Sequence, residues 1–317
     1  MTEHQLSQTI QRYSDFIQNN QTDPVTLYLE GLAPSGRRSM RSLLTSGANI
    51  LQLDGELEKM PWPLVQYEHI SKICSVMQQE GKSVNTINLT LSACRGVMQA
   101  CFNLGLIKAE QLLLINSVKR VRGSQLPGGR SLSERETKRL IAACKKDKTI
   151  AGKRDIAIIA LMLGTGLRRS EIVSINRDDY NVRNGDLVVR GKGIKQRLAF
   201  IQGENRRLMV PWLKIRGNEA GSLFFPITRH LNLVRRNMTS QSIYDLIQKR
   251  SIEANVEHCT PHDLRRTFVT RLLESGTDIN TVRQLVGHSD IHTTARYDCR
   301  DVENQRKITK RVSLSFK

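Results

Sequence analysis

A chain of 317 residues can form two domains of ordinary size, and its 39% hydrophobic content can build a core in each. Lysine and arginine number 49 against 30 aspartate and glutamate, and the formal net charge of +19 asks for a polyanionic partner. No apolar run approaches the ~20 residues of a membrane span, so composition points to nucleic acid more than to a lipid surface, although charge alone does not choose among polyanions.

The six cysteines, Cys74, Cys94, Cys101, Cys144, Cys259 and Cys299, are scattered without a Cys-x-x-Cys pair or histidine at zinc-like spacing. They read as reduced thiols rather than as a disulfide framework or a metal site. Residues Met1 to Asn20 are polar and contain acidic groups, a pattern that matches neither a signal peptide nor an anchor. Together these features predict a cytoplasmic, nucleoid-associated protein.

In chain order, Asp23-Pro24 opens a short amphipathic segment through Leu32, and Ala33-Pro34-Ser35-Gly36 reads as a break. Ser39 to Leu53 then carries Met40, Leu43, Leu44 and Leu51 at helical spacing, with Arg37, Arg38 and Arg41 clustered at its start. Two further helices are predicted over Tyr67 to Gln79 and Val84 to Leu104. Between them Glu80-Gly81-Lys82-Ser83 supplies a glycine stop and a serine start. A last short helix from Lys108 to about Asn116 completes a bundle of four to five helices. From Val118 to Leu132 there are turn residues and basic charge but no apolar period. The predicted organisation is a helical domain over 1–120, a basic linker over 121–132 and a second domain over 133–317.

The second domain restarts helix at Ser133-Glu134-Arg135-Glu136, a capping-box pattern. A very apolar helix over Ile156 to Leu163 runs into Gly164-Thr165-Gly166, a turn that delivers Arg168 to the start of the next helix. Neither phosphate-loop spacing is present, which excludes a nucleotide site there. Glu171, three residues from Arg168, can hold that guanidinium and leave its other donors for a substrate. Asp186 to Arg190 and Arg197 to Ile201 alternate as the strands of a hairpin, with Lys192 near the tip and Lys195 as its nearest rival. Helices over Gln202 to Arg216 and Thr239 to Ala254 follow, and the Leu223-Phe224-Phe225-Pro226 stretch between them reads as buried. The fold class is therefore mainly α with a small β-sheet, α+β.

The last third concentrates chemistry. Thr260 as N-cap and Pro261 at the first helical position start a helix. It sets His262 and Arg265 three apart on one face, while Leu264, Phe268, Leu272 and Leu273 mark the buried side. Gly287-His288 follows a second amphipathic run, and Tyr297 stands nine residues past His288. Each of these side chains alone would pass for a cap or a solvated charge.

The order of these elements resembles the carboxy-terminal signature of the tyrosine recombinase (phage integrase) superfamily. The match comprises His262-Asp263-Leu264-Arg265, Leu285-Val286-Gly287-His288 and Thr293-Thr294-Ala295-Arg296-Tyr297. Upstream, Thr165-Gly166-Leu167-Arg168-Arg169-Ser170-Glu171-Ile172 resembles the first arginine box, and Arg190-Gly191-Lys192-Gly193 the lysine-bearing turn. Tyr28 to Met40 is similar to the opening of the helical core-binding domain. The resemblance implies a site-specific DNA recombinase working through a 3′-phosphotyrosyl intermediate, without metal or cofactor.

In that scheme Arg168 and Arg265 hold the phosphate, Tyr297 attacks and His262 accepts its proton. Lys192 protonates the leaving oxygen, and His288 bonds the phosphate or positions Tyr297. Arg37, Arg38, Arg41, Lys82 and Asn85 become candidate DNA contacts, as does Lys195; the bland reading of each is a solvated surface group. The expected partner is a double-stranded recombination site, bound as a dimer per site within a tetrameric synapse. One departure is Arg266, where many relatives carry a second histidine. Integration, excision and resolution stay open. A type IB topoisomerase or telomere resolvase would share the chemistry, and a non-catalytic DNA-binding regulator could share the scaffold.

Overall fold

The structure, a computed structural model, describes residues 13, 15, 22–53, 55–123, 129–191, 196–288, 290, 291 and 294. It divides into two compact units, Met1–Leu126 and Pro127–Lys317. Among the described residues, no helix is long and apolar enough to cross a membrane.

The first unit contains α1 (Pro24–Glu30), α2 (Pro34–Ile50), α3 (Tyr67–Gln79), α4 (Val84–Asn103) and α5 (Ala109–Ser117). Helix α4 is its axis: Ile87, Leu91, Cys94, Val97, Met98 and Cys101 are buried along it, and the other four helices all pack against it. Ser83 caps α4 through the amide of Thr86, as its position after Gly81 predicts. The break expected at Ala33–Gly36 is shorter. Helix α2 begins at Pro34, because a proline at the first helical position needs no N–H partner and already has a helical φ. It also stops at Ile50 rather than Leu53, and the chain turns at Gln52 with φ of 58°.

The second unit contains α6 (Glu134–Lys146), α7 (Ile150–Thr165), α8 (Arg169–Ser174), strands β1 (Asp186–Arg190) and β2 (Gln196–Phe200), α9 (Gly203–Arg216), α10 (Ser240–Glu253), α11 (Pro261–Glu274) and α12 (Ile279–Val286). Helix α7 starts six residues before its apolar run, under a Thr149 cap. Every residue from Asp155 to Leu163 on it is buried. An apolar surface all round requires neighbours all round, and α6, α9 and α11 supply them. The polar exception, Asp155, receives Arg154 and the buried Arg250 of α10, which also binds Asp147 and Glu253.

The β1–β2 pair is antiparallel, with Val189 opposite Arg197 and Leu187 opposite Ala199 on its core face. Its expected tip, including Lys192 and Lys195, lies outside the described residues. Part of the expected linker is not free: Leu132 is buried, its amide donates to Thr267, and the amide of Arg130 donates to Asp263. A separate small cluster, Val269, Leu273, Val282 and Val286 with Phe268 and Leu272, joins α11 to α12. That packing fixes where His288 leaves the end of α12.

Candidate active site

Three segments converge: the end of α7 with the start of α8, the first turn of α11, and the end of α12. Helix α7 terminates at Gly166 with φ of 63°. A β-carbon there would sit 2.5 Å from the Phe268 ring, so glycine is required on both conformational and steric grounds. The chain then delivers Arg168 as the residue capping α8, where Glu171 accepts from the Arg168 amide at 2.8 Å and from its Nη1 at 2.9 Å. The remaining Arg168 terminal nitrogen, Nη2, donates to the Gly287 carbonyl at 3.0 Å. With 43% of its side chain exposed, Arg168 still faces solvent.

Arg265 takes a different course from the one its spacing suggests. Rather than projecting beside His262 from an outer face, it turns inward and is 2% exposed, while His262 remains exposed. Its Nη1 donates to the Gly166 carbonyl at 2.6 Å and its Nη2 to the Val286 carbonyl at 2.9 Å. The two arginines are thereby tied to neighbouring carbonyls at one helix end.

Helix α12 closes on Gly287, in the left-handed conformation with φ of 66°, and His288 follows, buried, with Nδ1 2.9 Å from the Thr294 hydroxyl. Burial, then the charges of Arg265 and Arg168, pushes the His288 imidazole down to about 3. Partial desolvation and the same arginines lower His262 as well. Both rings are therefore neutral near pH 7. Burial alone would raise the Glu171 carboxyl, but hydrogen bonds from Arg197 and the Arg168 amide outweigh it and hold the group below its usual range.

Arg197 was not singled out by sequence. It donates through Nη1 and Nη2 to the two oxygens of Glu171, at 2.8 and 3.0 Å, and through Nε to the Leu285 carbonyl at 3.2 Å. Its signal was an arginine at a core-facing register of a hairpin strand, where alternation calls for an apolar residue.

Of the expected catalytic set, Arg168, His262, Arg265 and His288 come together here, supported by Glu171. Lys192 and Tyr297 lie outside the described residues. In the first unit the expected DNA contacts are exposed, and three have internal partners. Arg37 donates to the Glu30 and Leu32 carbonyls, Arg41 pairs with Glu58, and Lys82 stands 3.6 Å from Glu80. Arg38 and Asn85 are exposed, the latter in the first turn of α4. Lys195 lies outside the described residues. Arg266 donates to the Gly129 carbonyl, which turns it toward the segment before α6.

Residues 130–303 match the model of the phage integrase family, more than half of the chain. The chain belongs to the phage integrase family. Among its curated relatives, the tyrosine recombinase XerC of Alcanivorax borkumensis is 26% identical over 296 residues, 92% of this chain and 93% of that protein. The tyrosine recombinase XerA of Thermococcus kodakarensis is 32% identical over 239 residues, 75% of this chain and 79% of its own length. Among solved structures, a lambda integrase dimer bound to a COC′ core site is similar in fold, with a TM-score of 0.63 at 14% identity, covering 95% of this chain and 98% of that one. Within this integrase, the family match takes in α6 to α12, the elements that carry the arginine pair and both histidines.

Proposed function

We propose that this integrase is a site-specific DNA recombinase that cleaves and rejoins strands through a 3′-phosphotyrosyl intermediate. The observation that carries the reading is the anchoring of Arg168 and Arg265 to adjacent carbonyls at the end of α12, beside His288. Two planar guanidinium groups so held can take the non-bridging oxygens of a phosphodiester as charge grows on them.

In the proposed reaction Tyr297 attacks phosphorus. A phenol with pKa near ~10 is a weak nucleophile at neutral pH and needs a nearby base. His262, exposed and neutral at that pH, accepts the phenolic proton. His288 donates a hydrogen bond to a phosphate oxygen, and Lys192 gives a proton to the departing 5′-oxygen. The ester energy is kept in the phosphotyrosine, so a second 5′-hydroxyl can reverse the step on another strand.

The expected substrate is a double-stranded recombination site, occupied by a dimer and paired in a tetrameric synapse, with Arg37, Arg38, Arg41, Lys82, Asn85 and Lys195 as candidate contacts. The parts take their roles from this reading: 1–120 as core-binding domain, 121–132 as connecting segment and 133–317 as catalytic domain. A DNA substrate of this kind places the protein at the nucleoid, in the cytoplasm. The lambda integrase dimer on its core site and the Xer recombinase relatives support the reading.

The test is covalent capture. The protein is incubated with a library of random-sequence duplexes carrying a nick that traps cleavage, denatured, digested, and the peptide-linked 3′ ends are sequenced. Wild type should recover a defined site linked at Tyr297, and Tyr297→Phe should recover none. Adducts formed by Tyr297→Phe would refute the assignment of the nucleophile.

A further inference from the structure

The Gly287-His288 step is held by Arg168 at the Gly287 carbonyl and also from the β2 side. Arg197 rises from the core face of β2, opposite Val189, with 15% of its side chain exposed. Its guanidinium lies fork to fork on Glu171, an arrangement that fixes the carboxylate in two dimensions rather than one. The same carboxylate receives Arg168 at the amide and at Nη1. Arg197 therefore reaches Arg168 through a single shared carboxylate.

The other edge of the guanidinium meets α12. Nε donates to the Leu285 carbonyl, and a β-carbon on Gly287 would come within 3.0 Å of Nη1 and 3.1 Å of Cδ and Cζ. The glycine of the Gly-His step is thus the surface against which Arg197 packs. One side chain touches both supports of the proposed site: the carboxylate that aims Arg168 and the turn that presents His288. It does so while mostly buried, whereas Arg168 on the same carboxylate faces solvent.

We infer that Arg197 is a positioning residue for strand cleavage: it locks Glu171, and so Arg168, to the turn that carries His288. It acts through its neighbours and does not itself take the phosphate. Glu171 alone could rotate about its side-chain torsions and carry Arg168 with it. With Arg197 in place, that rotation would break two charged hydrogen bonds and pull on Leu285.

The inference rests on the recombinase reading, and the experiment separates the two. It uses the full chain and the duplex recovered by covalent capture, and it measures both DNA affinity and single-turnover cleavage. Arg197→Met should slow cleavage by about 100-fold, the order expected for a misplacement near 1 Å, while DNA affinity moves less than about threefold. Glu171→Gln should also slow cleavage, and the double variant should be little worse than either single one, since both break one linkage. Arg197→Lys should recover only part of the rate, because a point charge cannot span both carboxylate oxygens and the Leu285 carbonyl.

A second duplex with a neutral methylphosphonate at the scissile position tests the route. There Arg168 has less charge to stabilise, so the Arg197→Met penalty should shrink. If the penalty is equal on both duplexes, if affinity falls in step with rate, or if Arg197→Met cleaves like wild type, the positioning role is overturned. A wild-type protein that captures no duplex would instead refute the recombinase reading and take this role with it.

Discussion

Replacing Arg250 by methionine should cost about 3 kcal/mol, within the range for breaking a buried ion pair from one side. Arg250 is 1% exposed and donates to Asp155 at 2.8 Å, Asp147 at 2.6 Å and Glu253 at 2.7 Å. These three losses are unequal. The side chains of Asp147 and Glu253 are 21% and 39% exposed, so water can replace their lost bonds at a cost of roughly 0–1 kcal/mol each. Asp155, with 4% of its side chain exposed, would keep only Arg154, at 2.7 Å, and that stranded carboxylate dominates.

The assay exploits the two tryptophans, Trp62 in the first unit and Trp212 in the second. In a Trp62→Phe background, urea unfolding followed by fluorescence reports Trp212, which is fully buried and stacked on Phe224. Arg250→Met should lower the midpoint with little change in slope. Adding Asp155→Asn should recover part of the loss, because the stranded charge is then gone. Burial pushes the Asp147 carboxyl up, yet hydrogen bonds from Thr149 and Arg250 hold it at about 2. A folded pKa below the unfolded value gives stability that is present above about 3.9 and lost as pH falls through the folded value. That acid limb should weaken in Arg250→Met. A destabilisation under about 1 kcal/mol would refute the claim that Asp155 is stranded.

His288, held down to about 3, contributes stability that is present above about 6.5 and lost as pH falls toward 3. Nitrogen NMR of the DNA-free protein should find this ring neutral throughout the physiological range, and a midpoint near 6.5 would contradict its burial beside Arg265 and Arg168. Gly166→Ala should cost at least the ~1–2 kcal/mol of a left-handed alanine, since its β-carbon also meets Phe268. Because Arg265 is anchored on the Gly166 carbonyl, cleavage should fall further than DNA affinity; an unchanged melting temperature would argue against the clash. Asp263→Ala removes the acceptor for the Thr260 amide and hydroxyl and for the Arg130 amide. A lost cap and an orphaned, partly buried amide together suggest ~1–3 kcal/mol, with faster hydrogen exchange at Arg130 as the local sign.

Helix starts were the most legible part of the fold because they are written in side chains that bond the first amides. Thr260 before Pro261 and Ser133 before Glu136 both cap as expected. The error at Pro34 came from treating proline as a breaker where it serves as a starter. The chemistry of the site was legible as spacing, since four of the expected residues converge. Their orientation was not. Arg265 turns inward because its partners are the carbonyls of Gly166 and Val286, and backbone carbonyls have no letter in a sequence. Arg197 was hidden for a related reason: its meaning depends on which face of β2 looks at Glu171, and that register exists only once the hairpin is packed.

The end of α12 explains how three guanidinium groups can be fixed at one place by backbone acceptors. The amides of Gly287 and His288 occupy the carbonyls of Gln284 and Arg283, which leaves Leu285, Val286 and Gly287 facing outward in succession. A helix end of this kind has unsatisfied acceptors and the negative pole of the helix dipole. Arg197 takes the first, Arg265 the second and Arg168 the third. Among the described residues, Glu171 bonds two of these guanidinium groups, Arg168 and Arg197, and the three carbonyls hold all three beside a neutral His288. Had carboxylates anchored all three, the arginines would be equally well placed and electrostatically spent. Carbonyl anchors supply position while leaving the charge for a phosphodiester, whose own charge rises as the fifth bond to phosphorus forms.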